Sequence, residues 1–480
     1  MPQPTADPVQ TRAELATLRP DLLDRYDAAL PGARSAILTR LYGALEREPL
    51  PGLARREHRD GHTHVTFTNG ETVSYPTTAA APFTRAEPDG DPVALVHRLW
   101  PGSRLTAEIA NSVANLALAR ANTTPTRLPA PGDPDALGKI EQLLVDGHPL
   151  HPCCRTRTGL TVADVLAYAP EHRPVIRLRR LRVPADRWYG TAQPVLYAHP
   201  WQAPRLLARY PWLTNAGVTR PVRPLMSLRT VAPVSGGPHI KTAVDIQMTS
   251  AVRTVSPAAV HNGPRLSALL TRLTADLPLD VLAETAAGAV ITDDGPDRHL
   301  AHLTRQAPRL GAGETAVPLG VLATTPALLA SLRDPYAFLK DLDLVLFAPM
   351  ARVLERGVAL EAHGQNTLIV LADGRPVRTL YRDLGGVRVH TTQHPDLDLH
   401  GDLPTDDPAD LRTKLTAALG TATLQLVTAL AHHYGTEPDR LWNTIPDLLD
   451  GPLPIKATTA MRLATDPLAD QWTHLPKDPT

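Results

Sequence analysis

The chain has 480 residues, which at roughly 100–200 residues per domain allows two to four domains and a large core without disulfides or metal. Its 49 basic and 49 acidic residues cancel, which argues against a generic nucleic-acid binder, since such a protein needs surplus Lys and Arg to neutralise phosphates. With 43% apolar and 20% charged residues, wholesale disorder is excluded as well.

The basic side is lopsided, with six lysines against forty-three arginines, so each lysine in a polar cluster stands out. Proline is abundant at 49 residues, about twice the usual share of roughly 5%, and reads mainly as loop punctuation. The only cysteines, Cys153 and Cys154, are adjacent and poorly placed for a mutual disulfide. The N-terminal stretch has no apolar run behind a basic start, so no signal peptide is expected. The longest uncharged stretch, residues 316–332, is broken by Pro318 and Pro326 and reads as a buried segment with a turn, not a membrane span. A cytoplasmic protein is expected.

In chain order, residues 12–48 have helical apolar spacing through Leu15, Leu18, Leu22, Leu23, Ile37, Leu38, Leu41 and Leu45. Alternation in 62–68, then Asn69-Gly70, then 71–75, predicts a hairpin. Loops rich in Pro and Asp at 86–92 and 125–134 separate further helices. Residues 239–250 alternate Ile240, Thr242, Val244, Ile246 and Met248 against Lys241, Ala243, Asp245, Gln247 and Thr249, which predicts one strand with a polar face. Farther on, a turn at 372–374 precedes a strand at 376–381. A last long helix is predicted after its cap Asp407, with Pro408 in its first turn, a leucine stripe from Leu411 to Leu430, and Gly435 as its stop.

Four polar clusters interrupt this patterning. The first is GHPLHPCCRTRTG at 147–159, where prolines would hold an extended loop presenting His148, His151, Arg155 and Arg157 to an anion. No second ligand pair follows at a finger-like spacing, so zinc is not expected. The second and third are Ser227-Leu228-Arg229-Thr230 and the strand carrying Lys241, Thr249 and Arg253. Hydroxyls, Lys and Arg converging there would suit a triphosphate or a polycarboxylate, although taken alone a charged strand face is more often solvated. There is no Walker loop and no Rossmann glycine fingerprint, so phosphates would have to be held by side chains. The fourth is EAHGQN at 361–366 followed by RDLGG at 382–386. Glu361, His363 and Gln365 would share one face of an extended segment, while Asn366 and Asp383 offer hard oxygens at two strand ends, as Mg²⁺ takes beside nucleotide phosphates.

In their order, GHPLHPCCRTRTG, SLRT, KTAVDIQMTSAVRT, EAHGQN, RDLGG and the late PIKATTAMRL, these motifs resemble the IucA/IucC family, the NRPS-independent siderophore synthetases. The resemblance spans about residues 140–465. It implies an α+β cupped-hand fold with an ATP cleft: a helical thumb with a hairpin over 1–140, fingers over 141–345 and a palm over 346–480. The implied reaction is adenylation of a carboxylic acid, citrate or a relative, and its condensation with an amine or hydroxyl to an amide or ester in siderophore biosynthesis. Carried over by motif, His151, Arg155, Ser227, Arg229, Thr230, Lys241, Gln365, Asn366 and Asp383 would bind ATP. Thr249, Arg253 and His363 would hold the carboxylate, Glu361, Asn366 and Asp383 would take Mg²⁺, and Arg253, His363 and Lys241 would be catalytic. Small-molecule substrates are the implied partners, with no nucleic acid or membrane and a possible homodimer. Arg155 stands where family members usually have Lys, and Arg keeps the charge without the point geometry. The alternatives are a ligase of the same fold outside siderophore assembly and a non-catalytic ligand-binding homologue.

Overall fold

The computed structural model describes residues 6–125, 127–445, 447–467 and 469–475. The predicted first helix is two, Pro8–Leu18 and Leu23–Arg47, joined by a single helical turn at Pro20–Leu22. The hairpin forms as His62–Phe67 and Thr72–Pro76, and a third antiparallel strand, Leu53–Arg59, joins it as a meander. That strand reads LARREHR, which has no apolar alternation and is exposed or half-buried throughout. Leu15, Ile37, Leu41 and Leu45 pack with Val65, Phe67, Val113 and Leu116 in the N-terminal core.

A six-stranded antiparallel sheet forms the middle of the chain, in the order Trp188–Gly190, Glu284–Thr292, Gly295–Arg305, His239–Thr242, Thr230–Pro233 and Val222–Pro224. Its register pairs Thr230 with Lys241, His239 with Arg305, and Arg305 with Glu284. Because side chains alternate along strands, Thr230, His239, Lys241, Arg305 and Glu284 fall on one face.

The single strand expected over 239–250 is in fact two strands in two sheets. The chain leaves the large sheet at Ala243, whose N–H donates to the Ala301 carbonyl at 3.1 Å. Val244–Met248 then pairs with Ala251–Arg253 and Arg157–Thr158 in a separate three-stranded sheet. The apolar alternation runs unbroken across the switch because Val244, Ile246 and Met248 enter the N-terminal core. Lys241 and Thr249 therefore share no strand face, and Asp245 is exposed. The same core takes in Cys153, Leu160, Val165 and Ala460, so it reaches well past residue 140.

The third part is built on a four-stranded sheet of Leu279–Val281, Arg375–Tyr381, Thr367–Ala372 and Glu314–Pro318. The helix Pro408–Tyr434 packs beside the short strands Val358–Ala359, Arg388–His390 and Leu453–Lys456; it is capped by the Asp407 side chain on the Ala409 N–H and closed by Gly435 at φ 63°. This helix is long and apolar enough to cross a membrane by composition, but Leu411, Leu415, Leu419, Leu426 and Leu430 are spent in the core. Residues 316–332 form the buried, turn-containing segment expected of them.

Candidate active site

The middle sheet and the third part meet around the Asp383 carboxylate. Lys241 Nζ donates to Asp383 Oδ1 and Oδ2 at 2.7 and 2.8 Å. Arg305, which is buried and bonded to Glu284 at 3.0 Å, stands 3.7 Å from the same carboxylate. Burial would raise the Asp383 pKa, but the charges of Lys241, Arg305 and Arg229 hold it well below the usual carboxylate range. Asp383 is reached because the strands 367–372 and 375–381 end side by side, with the Arg382 N–H on the Asn366 carbonyl at 3.1 Å.

Three motif residues that are not glycine hold left-handed backbone: Leu228 at φ 62°, Thr249 at 55° and Asp383 at 72°. Such conformations cost of order 1–3 kcal/mol and persist where surrounding structure dictates them, often at functional sites. Here they place one turn each of the SLRT, TSAVR and RDLGG segments. In the first turn Ser227 Oγ accepts from the Thr230 N–H at 3.2 Å, and the Arg229 carbonyl accepts from the Thr242 N–H at 3.0 Å. In the second, Arg253 donates to Thr249 Oγ1 at 2.6 Å and to the Met248 carbonyl at 2.8 Å. Arg229 donates to the Thr254 carbonyl.

Arg229 and Arg253 are part-buried, and among the described residues neither has a carboxylate partner; the Nε of each lacks any hydrogen bond. Burial, then the charges of Arg229 and Arg157, push the Arg253 guanidinium down to about 9. An incoming anion would pair with this guanidinium and offset the repulsion among the arginines.

His151 lies beneath this cluster. Its Nδ1 accepts the Cys153 N–H at 3.0 Å, which leaves Nε2 to donate to Ser250 Oγ at 2.5 Å. His148 Nδ1 accepts the His151 N–H at 3.1 Å. The His148 ring is reachable by solvent but sits deep among protein atoms, and that desolvation, with the charges of His363, Arg40 and Arg253, lowers its pKa to about 4. His148 thus feels both His363, from the third part, and Arg253, from the middle part. Burial likewise keeps His363 below its ordinary value, so its imidazole is neutral near pH 7.

Two expectations change here. The 147–159 loop is not extended; it turns, with the Thr156 N–H on the Cys153 carbonyl at 3.2 Å. It sends Arg155 inward, where the guanidinium bonds Glu171 at 3.1 Å and the Val145 carbonyl at 2.7 Å, besides the Leu144 carbonyl. Arg157 shares the same buried carboxylate at 3.3 Å. Burial opposes ionisation of Glu171, but the two arginines hold its pKa at about 2. Arg155 is thereby committed to an interior anion and is not offered to a ligand.

The 361–366 segment is not extended either. The His363 N–H donates to the Glu361 carbonyl and the Asn366 N–H to the His363 carbonyl, both at 2.9 Å, so Glu361, His363 and Gln365 share no strand face. The Gln365 carbonyl accepts from Arg382 at 2.9 Å, and Asn366 is buried. Glu361 pairs with the buried Lys414 at 2.7 Å and packs so closely on Gly386 that a Cβ there would lie 2.0 Å from its Oε2. Both carboxylates expected to hold Mg²⁺ are thus already paired with lysine ammonium groups. This donor set does not fit a resident metal ion. The cation cluster of Arg229, Arg253 and Lys241 does fit anionic phosphate or carboxylate groups.

Sequence reasoning passed over Arg305, Glu284 and Lys414, whereas Ser250 stood in the polar run with Thr249 and Arg253. Lys414 carried a usable signal: it is one of six lysines and interrupts the leucine stripe between Leu411 and Leu415. Arg462 was noted only within the late motif; it is buried against Glu108 and bonds the Ser250 carbonyl at 2.7 Å, which ties the end of the chain to the Thr249 turn.

The fold is α+β, and it is the fold of the petrobactin biosynthesis protein AsbB from Bacillus anthracis str. Sterne, with TM-score 0.79 at 18% identity over 95% of this chain and 98% of that one. The ATP-bound aerobactin synthetase IucA from a hypervirulent pathotype of Klebsiella pneumoniae matches with TM-score 0.66 at 18% identity, covering 93% and 99%. Residues 136–194 and 190–324, which carry the first three clusters, match the IucA / IucC family model. Residues 338–468 match a model described as ferric iron reductase FhuF-like transporter. Staphyloferrin A synthase of Staphylococcus aureus is 29% identical over 319 residues, and the D-ornithine–citrate ligase of the same organism 24% over 343. The match covers 54% of this chain in each case, and 54% and 51% of those proteins, so the chain spans about half the length of these relatives.

Proposed function

We propose that the chain is an ATP-dependent, AMP-forming ligase that joins a carboxylic acid, citrate or a close relative, to an amine or hydroxyl in siderophore biosynthesis. The observation that carries this reading is the pair Arg229 and Arg253, part-buried cations without a carboxylate partner beside Lys241. The names of the relatives, a citrate ligase and a synthetase solved with ATP, supply the chemistry.

A carboxylate is a poor electrophile because its charge repels nucleophiles. In this reading its oxygen attacks the α-phosphorus of ATP and pyrophosphate leaves, giving an acyl-adenylate; the amine or hydroxyl of the second substrate then attacks the acyl carbon, loses its proton, and AMP leaves. The protein's part is charge neutralisation and alignment, which supply much of the rate in such transfers. Arg253, fixed by Thr249, holds the carboxylate and the α-phosphate side. Arg229 and Lys241 take phosphate charge, with Ser227 and Thr230 as neutral donors and His151 setting the Ser250 turn. Lys241 turns from Asp383 toward the phosphates when nucleotide enters, while Arg305 retains Asp383. His363, neutral at pH 7, accepts a hydrogen bond or a proton from the acceptor. Mg²⁺ would accompany ATP as the nucleotide's own counter-ion and would supply further neutralisation of phosphate charge. The thumb, fingers and palm division at residues 140 and 345 and a homodimer remain part of the proposal.

Pyrophosphate release, measured with a panel of carboxylic acids and amines, tests the reading. It should require ATP and one acid, with AMP as the product nucleotide; ADP with orthophosphate, or no release with any acid, overturns it.

A further inference from the structure

A second cluster lies on the helix Pro257–Leu273 and the loop that runs from His390 to the strand Pro404–Thr405, and the reaction above makes no use of it. His261 projects from the helix. Asp398 and His400 come from the loop, where Leu397 and Leu399 pack against the core and their alternate neighbours point outward. The His261 and His400 rings stack in parallel, 3.7 Å between centroids and 5° between planes. Both address one carboxylate: His261 Nε2 lies 2.9 Å from Asp398 Oδ2 and His400 Nε2 3.8 Å from Oδ1.

The arrangement is built by groups that are not themselves ligands. Asn262, which is buried, donates to the His400 carbonyl at 2.8 Å and accepts the His400 N–H at 2.9 Å, so it fixes that main chain against the helix in both directions. Tyr189 OH lies 3.4 Å from His261 Nδ1, the position of the outer partner that commonly sets the tautomer of a ligating imidazole.

We propose that His261, Asp398 and His400 bind a divalent first-row transition ion of the Zn²⁺, Co²⁺ or Ni²⁺ class, which clasps the 391–403 loop onto the helix. Two imidazoles and a carboxylate are the donor set these ions take, with water completing the shell. The three ligand atoms lie within 4.8 Å of one another. Bonds of about 2.0–2.2 Å need separations of roughly 3–4 Å, which modest rotation of the exposed Asp398 and His400 side chains supplies. The ion binds where no nucleotide or acid is proposed to bind, so the clasp stands or falls apart from the ligase reading.

The test uses tag-free, chelator-treated full-length protein titrated with Zn²⁺ by calorimetry and with Co²⁺ by visible absorption. One equivalent per chain is expected, with a d–d band of low-symmetry Co²⁺. His400→Ala and Asp398→Asn should each weaken binding at least tenfold and bleach the band. Both side chains are exposed, at 53% and 68%, and Asn262 holds only main chain, so these variants fold. Absence of saturable binding in the parent chain, or the same affinity and spectrum in both variants, overturns the proposal.

Discussion

Two pairs of arginines lie within a short stretch of the fold and have opposite electrostatic situations. Arg155 and Arg157 close on Glu171, a carboxylate that no solvent reaches, and their charge is spent inside the protein. Arg229 and Arg253 bond only hydroxyl and carbonyl oxygens and repel one another. Both pairs lie in the region that matches the IucA / IucC model. What separates a structural arginine from a binding one is the presence of an interior anion, which the residue type does not disclose. The closed pair makes a fold, and the open pair awaits a ligand.

The sharpest way to break the comparison is to remove the anion. Glu171→Gln leaves two buried guanidinium groups facing a neutral amide and is expected to destabilise the chain by about 3–5 kcal/mol, the cost of breaking a buried ion pair. Urea unfolding measures it; an unchanged midpoint would mean that the cluster is solvated and that Arg155 is free after all. At the open pair the expectation reverses. Arg253→Met should lower ATP-dependent pyrophosphate release by about a hundredfold, near 2.7 kcal/mol, while the melting temperature holds or rises because an uncompensated cation has gone. A loss of stability without a loss of turnover would make Arg253 structural.

Lys241 falls between the two cases, since it has a carboxylate partner and yet faces the cleft. Lys241→Met is expected to cost about 1.5–3 kcal/mol in turnover, the worth of a hydrogen bond to a charged group. It also leaves Asp383 with Arg305 alone at 3.7 Å. Adding Asp383→Asn should recover the lost stability but not the turnover. Recovery of both would show that the pair matters only to packing.

Much of this was readable in the sequence because it is local. Asn69-Gly70, Asp407-Pro408 and Gly435 each act through their own backbone, and each produced the turn, cap or stop expected. The return of the chain that sets Asn366 beside Arg382 was legible from the turn between two apolar runs. What could not be read depends on distant partners. A period of two continues from Lys241 to Thr249 whether the strand stays in its sheet or changes sheets at Ala243, because Ile240 packs against one core and Val244, Ile246 and Met248 enter another. Arg155 reads as an anion ligand until Glu171 is seen beside it, and Glu361 as a metal ligand until Lys414 is.

The smallest expected effect concerns His148, which stands between the two halves of the site. Its folded pKa of about 4 is below the ordinary 6.5, so as pH falls the unfolded chain takes up the proton first. The stability tied to its neutral form is present above pH 6.5 and is lost as pH falls from there toward 4. Solvent reaches the ring, and screening keeps the effect to roughly 1 kcal/mol or less. His148→Gln retains an acceptor for the His151 and Leu150 N–H groups but cannot titrate. Melting temperatures between pH 7 and 4 should therefore fall less steeply in that variant than in the parent chain. Bound carboxylate or nucleotide, by compensating Arg253, should flatten the parent's slope in the same direction. Parallel slopes in the two proteins would place the acid sensitivity elsewhere, at the fully buried His199 and His302, whose pKa values burial alone takes to about 3.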